Sequence, residues 1–221
     1  MIRHPMPARQ RADAGFTLAE IAIVLVILAV LASVMLVPLG PRLEARQRAE
    51  AQATLEDVRA ALIGFAIIHG RLPCPTTSNP PDGLESIAGT QCSDPADEAF
   101  LPWRVLGIPP RDPWGNPWHY RADHGFADPA SSPLAPTQAT LEDLIVRDHW
   151  NVDLTVTTTN SAAAIVYSLG ANGQADGQNA SYEAGSTAIY EVGEPTTTFD
   201  DMVVWIGRPL LIARLAEAGA F

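Results

Sequence analysis

The sequence lacks the residue patterns that mark the common enzyme sites. It contains no Gly-x-Ser-x-Gly nucleophile motif, no zinc-type spacing of cysteine and histidine, and no glycine-rich phosphate loop. The five histidines are scattered without a paired-ligand pattern, at His4, His69, His119, His124 and His149. Carboxylates are plentiful, but their positions neither support nor exclude an acid pair for hydrolysis. We therefore predict that the chain is not an enzyme.

Lysine is absent as well, and arginine is outnumbered by acids. The 14 basic residues are all arginine and face 25 aspartates and glutamates, which gives a formal net charge of −11. Residues 1–15 carry +2, from three arginines and one aspartate, so the rest of the chain carries −11 − 2 = −13. Such acidity argues against a nucleic-acid partner and is typical of a soluble external domain or of one that attracts cations. We attach no functional weight to the missing lysine.

A long apolar run with a single acid inside it is the most informative stretch that is present. Phe16 to Leu39 would rise about 36 Å as a helix, enough to cross the hydrocarbon core of a bilayer. Arg3, Arg9 and Arg11 precede the run, which favours a cytoplasmic N terminus and an external C terminus. Glu20 lies within it, and an acid at membrane depth normally has a partner or a function.

Two other interpretations of this segment remain open. An ordinary secretory signal peptide would be cut after Val30-Leu31-Ala32, before Ser33, and a plain single-pass anchor would not be cut at all. Both leave Glu20 unexplained. The signal-peptide interpretation also ignores the strong helical pattern that resumes directly after Pro41.

The short sequence Gly15-Phe16-Thr17-Leu18-Ala19-Glu20 gives the segment a more specific meaning. With its basic leader and apolar helix, it resembles the class III signal of type IV pilins and type II secretion pseudopilins. The resemblance implies that a prepilin peptidase cuts between Gly15 and Phe16 and methylates the new amino terminus. It also implies that Glu20 faces the N-terminal amine of a neighbouring subunit within a filament.

The rest of the chain predicts a mixed fold. From Arg42 to about His69 apolar residues recur every three or four positions on one helix face, namely Ala51, Leu55, Val58, Leu62 and Phe65. Strand-like runs follow a Gly-Asn turn at 115–116 and occur at 151–158, 162–169, 188–192 and 201–206. Short helices are expected near 141–146, within a long loop at 123–150, and at 210–218.

These elements and the resemblance together predict an α+β, pilin-like architecture. A long N-terminal helix, with a membrane half and an amphipathic half, would pack on a small antiparallel sheet with long loops. The expected domains are a leader peptide at 1–15, a transmembrane and assembly helix at 16–39, and a periplasmic globular domain at 40–221 that includes the amphipathic half of the helix.

The two cysteines, Cys74 and Cys92, both fall in the part expected outside the membrane. A disulfide is the expected pairing in that oxidising compartment, and two free thiols are the alternative. The bond would close a loop of about 17 residues and stabilise it by roughly 3 kcal/mol on the chain-entropy estimate.

Two further motifs resemble the major pseudopilin G family. One is Asp112-Pro113-Trp114-Gly115-Asn116, where we expect Asp112 to cap the turn and Trp114 to pack on the helix. The other is the loop Ser168 to Gly177, which in that family binds calcium. The resemblance implies a calcium site formed by Leu169, through its carbonyl, with Asn172, Asp200 and Asp201. The spacing of the loop itself adds Asp176 to the predicted ligands.

This calcium prediction has open alternatives. Asn172 stands where the family has a charged residue, and the gap from Gly177 to Asp200 is longer than in the family. A second set of ligands has calcium-loop spacing, formed by Asn172, Gln174, Asp176, Gly177 and Glu183. The Asn-Gly and Asp-Gly pairs are equally typical of a plain surface hairpin turn.

The combined prediction is a structural subunit, a minor or specialised pseudopilin or pilin of a type II secretion or type IV pilus-like filament. Its expected partners are other pilin subunits, prepilin peptidase and the inner-membrane assembly machinery. It would sit in the bacterial inner membrane as a single pass, with its domain in the periplasm, and then enter a filament. The alternative is an anchored or secreted periplasmic ligand-binding domain that does not polymerise.

Overall fold

The computed structural model of the chain describes residues 17–35, 39–93, 99–155, 161–181 and 187–221. The chain forms two compact units, Met1–Leu43 and Glu44–Phe221. The N-terminal unit contains helix α1, Leu18–Met35, in which Glu20 is the single charged residue. The prediction of an apolar helix at this position is confirmed.

Nowhere in the described ranges is a helix both long and apolar enough to cross a membrane. The predicted span of residues 16–39 extends past the described part of α1, since residue 16 and residues 36–38 lie outside it. The single-pass topology therefore stays a prediction.

Helix α2, Leu39–His69, carries the predicted amphipathic pattern. In the second unit the five residues of the predicted apolar face are buried, and so is Ala66; the five are Ala51, Leu55, Val58, Leu62 and Phe65. The helix ends where Gly70 takes a positive φ of 68° and its N–H bonds the carbonyl of Ala66 at 2.9 Å. The predicted helix from Arg42 to His69 is thus confirmed.

A four-stranded antiparallel sheet covers the apolar face of α2. Its strands are β3 (Ala99–Phe100), β4 (His119–Ala122), β6 (Ala162–Ser168) and β8 (Met202–Gly207), in the order β3-β4-β6-β8. The short helix α3, Trp103–Leu106, follows β3, and the helix α5, Arg208–Glu217, follows β8 directly and buries Leu211 and Leu215. The predicted strands at 162–169 and 201–206 and the C-terminal helix are confirmed.

A second sheet is parallel, contrary to a purely antiparallel expectation. It pairs β5 (Asp143–Asp148) with β7 (Thr187–Val192), and Ile145 lies opposite Ile189. The predicted short helix near 141–146 is therefore wrong, because the β-branched run of β5 finds a strand partner distant in sequence. The predicted strand at 151–158 is wrong over its described part, because residues 151–155 contribute only one isolated bridge, from Asp153 to Arg147. Residues 156–160 lie outside the description.

The strands place the four-stranded sheet between two apolar layers. Along β6 alternate side chains point to opposite faces: Val166 joins the cluster with α2, whereas Ile165 and Tyr167 join the cluster with β5 and β7. Because both faces are covered, β6 is buried along its whole length. The architecture is α+β and pilin-like, as predicted.

The segment between α2 and β3 is stapled by a disulfide. Cys74 and Cys92 are bonded, with 5.3 Å between their Cα atoms. The strands β1 (Ile87–Ala88) and β2 (Gln91–Cys92) form a small hairpin inside the closed loop. The loop also holds Glu85, whose carboxylate accepts from Arg71 at 2.6 Å and from the Cys74 N–H at 2.7 Å. The disulfide prediction is confirmed.

Removing this bond should cost substantial stability. Replacing both Cys74 and Cys92 with serine should lower the free energy of unfolding by about 3 kcal/mol, since the reduced loop gains conformational entropy when the chain unfolds. Urea unfolding followed by circular dichroism measures the change, and reductant on the wild-type chain should give the same loss. An unchanged midpoint in both experiments would mean that the Arg71–Glu85 pair holds the loop without the bond.

A buried ion-pair network lies at the end of β4. Arg121, 1% exposed, donates to Oε2 of Glu142 at 3.0 Å. The other oxygen of Glu142 lies 3.3 Å from Nε2 of His124, and Nδ1 of His124 lies 3.1 Å from Asp128. Oδ1 of Asp128 also accepts from the N–H of Cys92 at 2.8 Å. The network thus ties the sheet to the disulfide loop through helix α4, His124–Ala127.

Breaking this network should be far more costly than breaking a surface pair. Glu142→Ala leaves the Arg121 guanidinium buried without its carboxylate, so we expect a loss of about 3–5 kcal/mol in the free energy of unfolding. The matched control is Glu217→Ala, which removes an exposed carboxylate that lies 2.8 Å from Arg214. This substitution should lower the free energy of unfolding by less than about 0.5 kcal/mol. Similar losses in the two variants would contradict the assigned weight of the buried pair.

Candidate functional site

The start of α1 is a capping box. The hydroxyl and the N–H of Thr17 both donate to Oε2 of Glu20, at 2.8 and 2.9 Å, and the N–H of Glu20 donates back to the Thr17 hydroxyl at 3.3 Å. This reciprocal arrangement satisfies N–H groups that a helix start leaves without partners. Gly15 and Phe16, the predicted processing pair, lie outside the described residues.

The capping box shows that Glu20 has a role within its own chain. Both described hydrogen bonds of its carboxylate use Oε2 and hold the carboxylate beside the first turn of α1. The pattern Thr17-x-x-Glu20 is a recognisable helix-start signal that the sequence analysis passed over.

Three acids meet at one end of the four-stranded sheet, and we call Asp176, Asp200 and Asp201 the acidic cluster. One carboxylate oxygen from each lies within 4.8 Å of the others. Asp200 and Asp201 directly precede β8, whereas Asp176 ends the loop that follows β6. The structure therefore brings together three of the five predicted calcium ligands.

The hydrogen bonds of the cluster leave two oxygens unused. Oδ2 of Asp200 accepts from the N–H groups of Ala171 and Asn172, at 2.7 and 3.1 Å. Oδ2 of Asp201 accepts from the N–H of Asp176 at 2.8 Å and from the Asn179 amide at 3.0 Å. The Oδ1 atoms of Asp200 and Asp201 are buried and have no hydrogen-bond partner. Such atoms are the ones that a bound cation would satisfy.

Burial sets the electrostatics of these two carboxyls. It raises the pKa of Asp201 to about 6 and raises the pKa of Asp200, and the charge of Asp176 adds to both shifts. Hydrogen bonds from N–H groups oppose the increase without cancelling it. The cluster concentrates negative charge with no arginine close enough to form an ion pair among the described contacts. A hard cation with oxygen ligands would supply the missing positive charge.

Close backbone approach builds the floor of the cluster. Gly170 has a φ of 64°, and a Cβ there would lie 2.6 Å from Oδ1 of Asp200 and 2.5 Å from its carbonyl oxygen. Only glycine fits this position, because both the backbone angle and the space exclude a side chain. The glycine therefore allows Asp200 to lie directly against the loop.

The Asp112–Asn116 turn braces the same loop. Oδ1 of Asp112 accepts from the N–H groups of Trp114 and Asn116, at 3.0 and 2.8 Å, so the aspartate caps the turn as expected. Its Oδ2 accepts from the Ser168 hydroxyl at 2.6 Å, and the Asn116 amide donates to the carbonyl of Gly170 at 2.9 Å. The two motifs that suggested a common family are thus packed on each other. The packing of Trp114 on the helix stays a prediction.

The side chain of Asn172, one of the remaining predicted ligands, is used in hydrogen bonds within the loop. The Asn172 amide donates to both oxygens of Asp176, at 3.1 and 3.0 Å, while its Oδ1 accepts from the N–H of Gln174 at 2.7 Å. No described hydrogen bond uses the carbonyl of Leu169, and Glu183 of the second ligand set lies outside the description. Their roles as ligands stay predictions. Sequence analysis missed Asn179, 1% exposed, which bridges Asp201 and Glu191.

Comparison with known proteins bears on the N-terminal segment. Residues 10–36 match the Prokaryotic N-terminal methylation motif. This motif is the hallmark of type IV pilins and pseudopilins, so the resemblance found in the sequence is confirmed. No curated protein and no solved structure matches the chain.

The N-terminal methylation motif bears on the class of the protein. It supports a type IV pilin-like subunit that prepilin peptidase processes, and pilin-like proteins of this kind are membrane-anchored structural subunits. The match covers the end of the predicted leader, residues 10–15, and all of α1, and it does not reach the motifs of the second unit. The likeness of those motifs to pseudopilin G is therefore not confirmed.

If the acidic cluster binds calcium, the ion should stabilise the fold of this methylation-motif protein. Extracellular calcium modules have Kd values of about 10⁻⁴–10⁻³ M. Calcium chloride at about 10 mM would then add about 1.4–2.7 kcal/mol of stability and raise the melting temperature by roughly 3–10 °C. Differential scanning calorimetry with and without calcium measures the shift.

Matched variants locate the effect. Asp201→Asn should abolish most of the calcium-dependent shift, because it removes one charge from the acidic cluster. Asp57→Asn changes an exposed acid of α2 by the same chemistry and should leave the shift intact. A wild-type chain that melts at one temperature with and without calcium, or equal shifts in both variants, would rule out the site.

Proposed function

We propose that the protein is a structural subunit of a type II secretion or type IV pilus-like filament. In this proposal prepilin peptidase cuts between Gly15 and Phe16, the new Phe16 amine is methylated, and the chain is held in the bacterial inner membrane until it is assembled. The observation that carries the proposal is the methylation motif at residues 10–36. The leader's arginines favour a cytoplasmic N terminus and a periplasmic second unit.

Assembly in this proposal runs through α1. Glu20 is its one charge, and the capping box holds that carboxylate at the helix start. In a bundle of such apolar helices, an amine from the next subunit is the natural counter-charge, since an unpaired acid in an apolar bundle is costly. The capping box supports this role because a fixed carboxylate loses little side-chain freedom on pairing.

The second unit would be displayed outward from the helix bundle. It has its own core on both faces of the four-stranded sheet, and its Cys74–Cys92 bond is suited to the oxidising periplasm. Calcium at the acidic cluster would order the loop that joins β6 to the segment before β7. Partners are other pilin subunits, prepilin peptidase and the inner-membrane assembly machinery.

A minor or specialised subunit suits the chain better than a major one. The disulfide loop and the stretch from Gly177 to Asp200 make the domain larger than the major pseudopilin pattern implies. The presence of Glu20 argues against a tip component, which in that family tends to lack the acid.

The test is the identity of the mature N terminus. Expressed with a prepilin peptidase, the chain should begin at N-methylated Phe16, as read by mass spectrometry of the N-terminal peptide. Gly15→Val should block the cut, whereas the neighbouring Ala14→Val should not. A start at Ser33, or an uncut leader with active peptidase, would favour the secreted or simply anchored ligand-binding domain instead.

Two substitutions separate the capping role of Glu20 from its role in assembly. Glu20→Ala removes both the cap and the charge, whereas Thr17→Ala breaks the cap but keeps the carboxylate. We expect both variants to be cut, Glu20→Ala to be lost from cross-linked filaments, and Thr17→Ala to be incorporated. Equal loss in the two variants would show that Glu20 acts only by starting its own helix.

A further inference from the structure

The strand β8 has one edge to which no described strand is hydrogen-bonded. In the part of the chain that the structure describes, β6 is the only strand that pairs with β8, which ends the order β3-β4-β6-β8. Its sequence, Met-Val-Val-Trp-Ile-Gly, contains no charge and no proline. Natural sheets usually protect an edge with lysine, proline, a bulge or a covering element. An apolar edge that lacks such protection is suited to pairing with another strand.

A trough runs along this edge, and we call it the β8 trough. It consists of two adjoining depressions of about 540 and 460 Å³ that share Gln52 and Val203. Helix α2 forms one wall, through residues such as Gln52 and Glu56, and Leu154 lies in the wall opposite. The trough therefore continues the layer of the four-stranded sheet, with a helix on one side and an apolar segment on the other.

The β8 trough has the length and the backbone edge that an added strand requires. The strand β8 has six residues, so the exposed edge is about 20 Å long. Backbone N–H and C=O groups along such an edge are complemented in full only by an extended backbone, which is how sheets capture peptides by strand addition. A folded surface or a small molecule would leave much of this row unpaired.

The walls define the side chains that such a strand needs. Leu154, 45% exposed, and the half-buried Trp205 offer apolar contact on one face. On the other face Gln52 is exposed, and Glu56 is paired with Arg59 at 2.6 Å. Because side chains alternate along a strand, the complementary segment alternates apolar and polar residues.

Charge favours a neutral or basic partner over a second copy. The chain carries a net charge of −11, so sheet-edge pairing of two copies would bring two acidic domains together. At one end of the β8 trough the exposed Glu194 has no ion-pair partner among the described contacts, whereas Arg48, which lines the same depression, is already paired with Glu44 at 3.0 Å. A basic residue at that end of the incoming strand would complement it.

We propose that the β8 trough binds an extended segment of another polypeptide as an added strand, with alternating apolar and polar residues and a basic residue beside Glu194. None of its lining residues belongs to α1 or to the processing pair, and Asp201 of the acidic cluster lines the same end of the trough as Glu194. The proposal does not rest on filament assembly, and an anchored domain that never polymerises could use the same site.

The experiment uses the full chain in detergent and one labelled peptide. The probe is fluorescein-labelled Arg-Val-Thr-Val-Thr-Val, and fluorescence anisotropy measures its Kd. Two isomers of the peptide carry N-methyl groups on alternate amides. Because only one set of amides in an added strand faces β8, one isomer should lose binding by about tenfold or more and the other should bind like the parent. Equal binding by both isomers would overturn strand addition.

A matched pair of variants locates the site. Gln52→Trp fills the β8 trough from an exposed position of α2, whereas Ala53→Trp places the same bulk on an exposed position outside it. Circular dichroism should show both variants folded, with peptide binding weakened about tenfold or more only in Gln52→Trp. No saturable binding to the wild-type chain, or equal binding by both variants, would overturn the proposal. It would also be overturned if the wild-type chain dimerises and the peptide only dissociates the dimer, because the occupant would then be a second copy.

Discussion

The apolar stripe of α2 is the constraint on which the second unit depends. Leu55, Val58 and Leu62 are fully buried. Exposing this apolar face of the helix to water would cost free energy in proportion to its area, so another element must cover it. The four-stranded sheet covers that stripe with one face, and β5 and β7 cover the apolar residues of its other face. The tail contributes too, since Leu211 and Leu215 of α5 join the same core. Each layer of the second unit thus buries the apolar face of the layer before it.

Carboxylates accepting backbone N–H groups give the loops their definition. Asp112 holds the turn at Trp114 and also receives the Ser168 hydroxyl, so one buried side chain links the two loops beside the acidic cluster. Asp200 and Asp201 then hold the ends of the loop from Ala171 to Asp176. Most of the carboxylate oxygens named here accept hydrogen bonds that hold the turn and the loops in place. The acidic cluster differs because Oδ1 of Asp200 and Oδ1 of Asp201 are buried and accept no described hydrogen bond. Buried oxygens without a partner are available to coordinate a cation.

The sequence predicted the elements with strong local signals. The period of α2 and the uniformly apolar run of β6 are visible in a short window, and both are confirmed. The helix expected near 141–146 failed because its partner β7 lies some forty residues on, and parallel pairing leaves no local trace. The network of Arg121, Glu142 and His124 could not be predicted for the same reason. The acidic cluster was predicted through a family likeness, and the fold supplied the proximity that spacing alone did not.

The topology has a consequence for when the domain can form. The strand β4 pairs with β6 across the intervening β5, and β5 pairs with β7 across β6, so neither sheet closes in chain order. The last strand and the last helix complete the core, since β8 pairs with β6 and Leu215 is buried. Long-range pairings carry a loop-closure cost before they stabilise anything. A chain whose C-terminal residues have not yet been synthesised therefore lacks part of its own core, and the fold of the second unit cannot be completed until β8 and α5 are present.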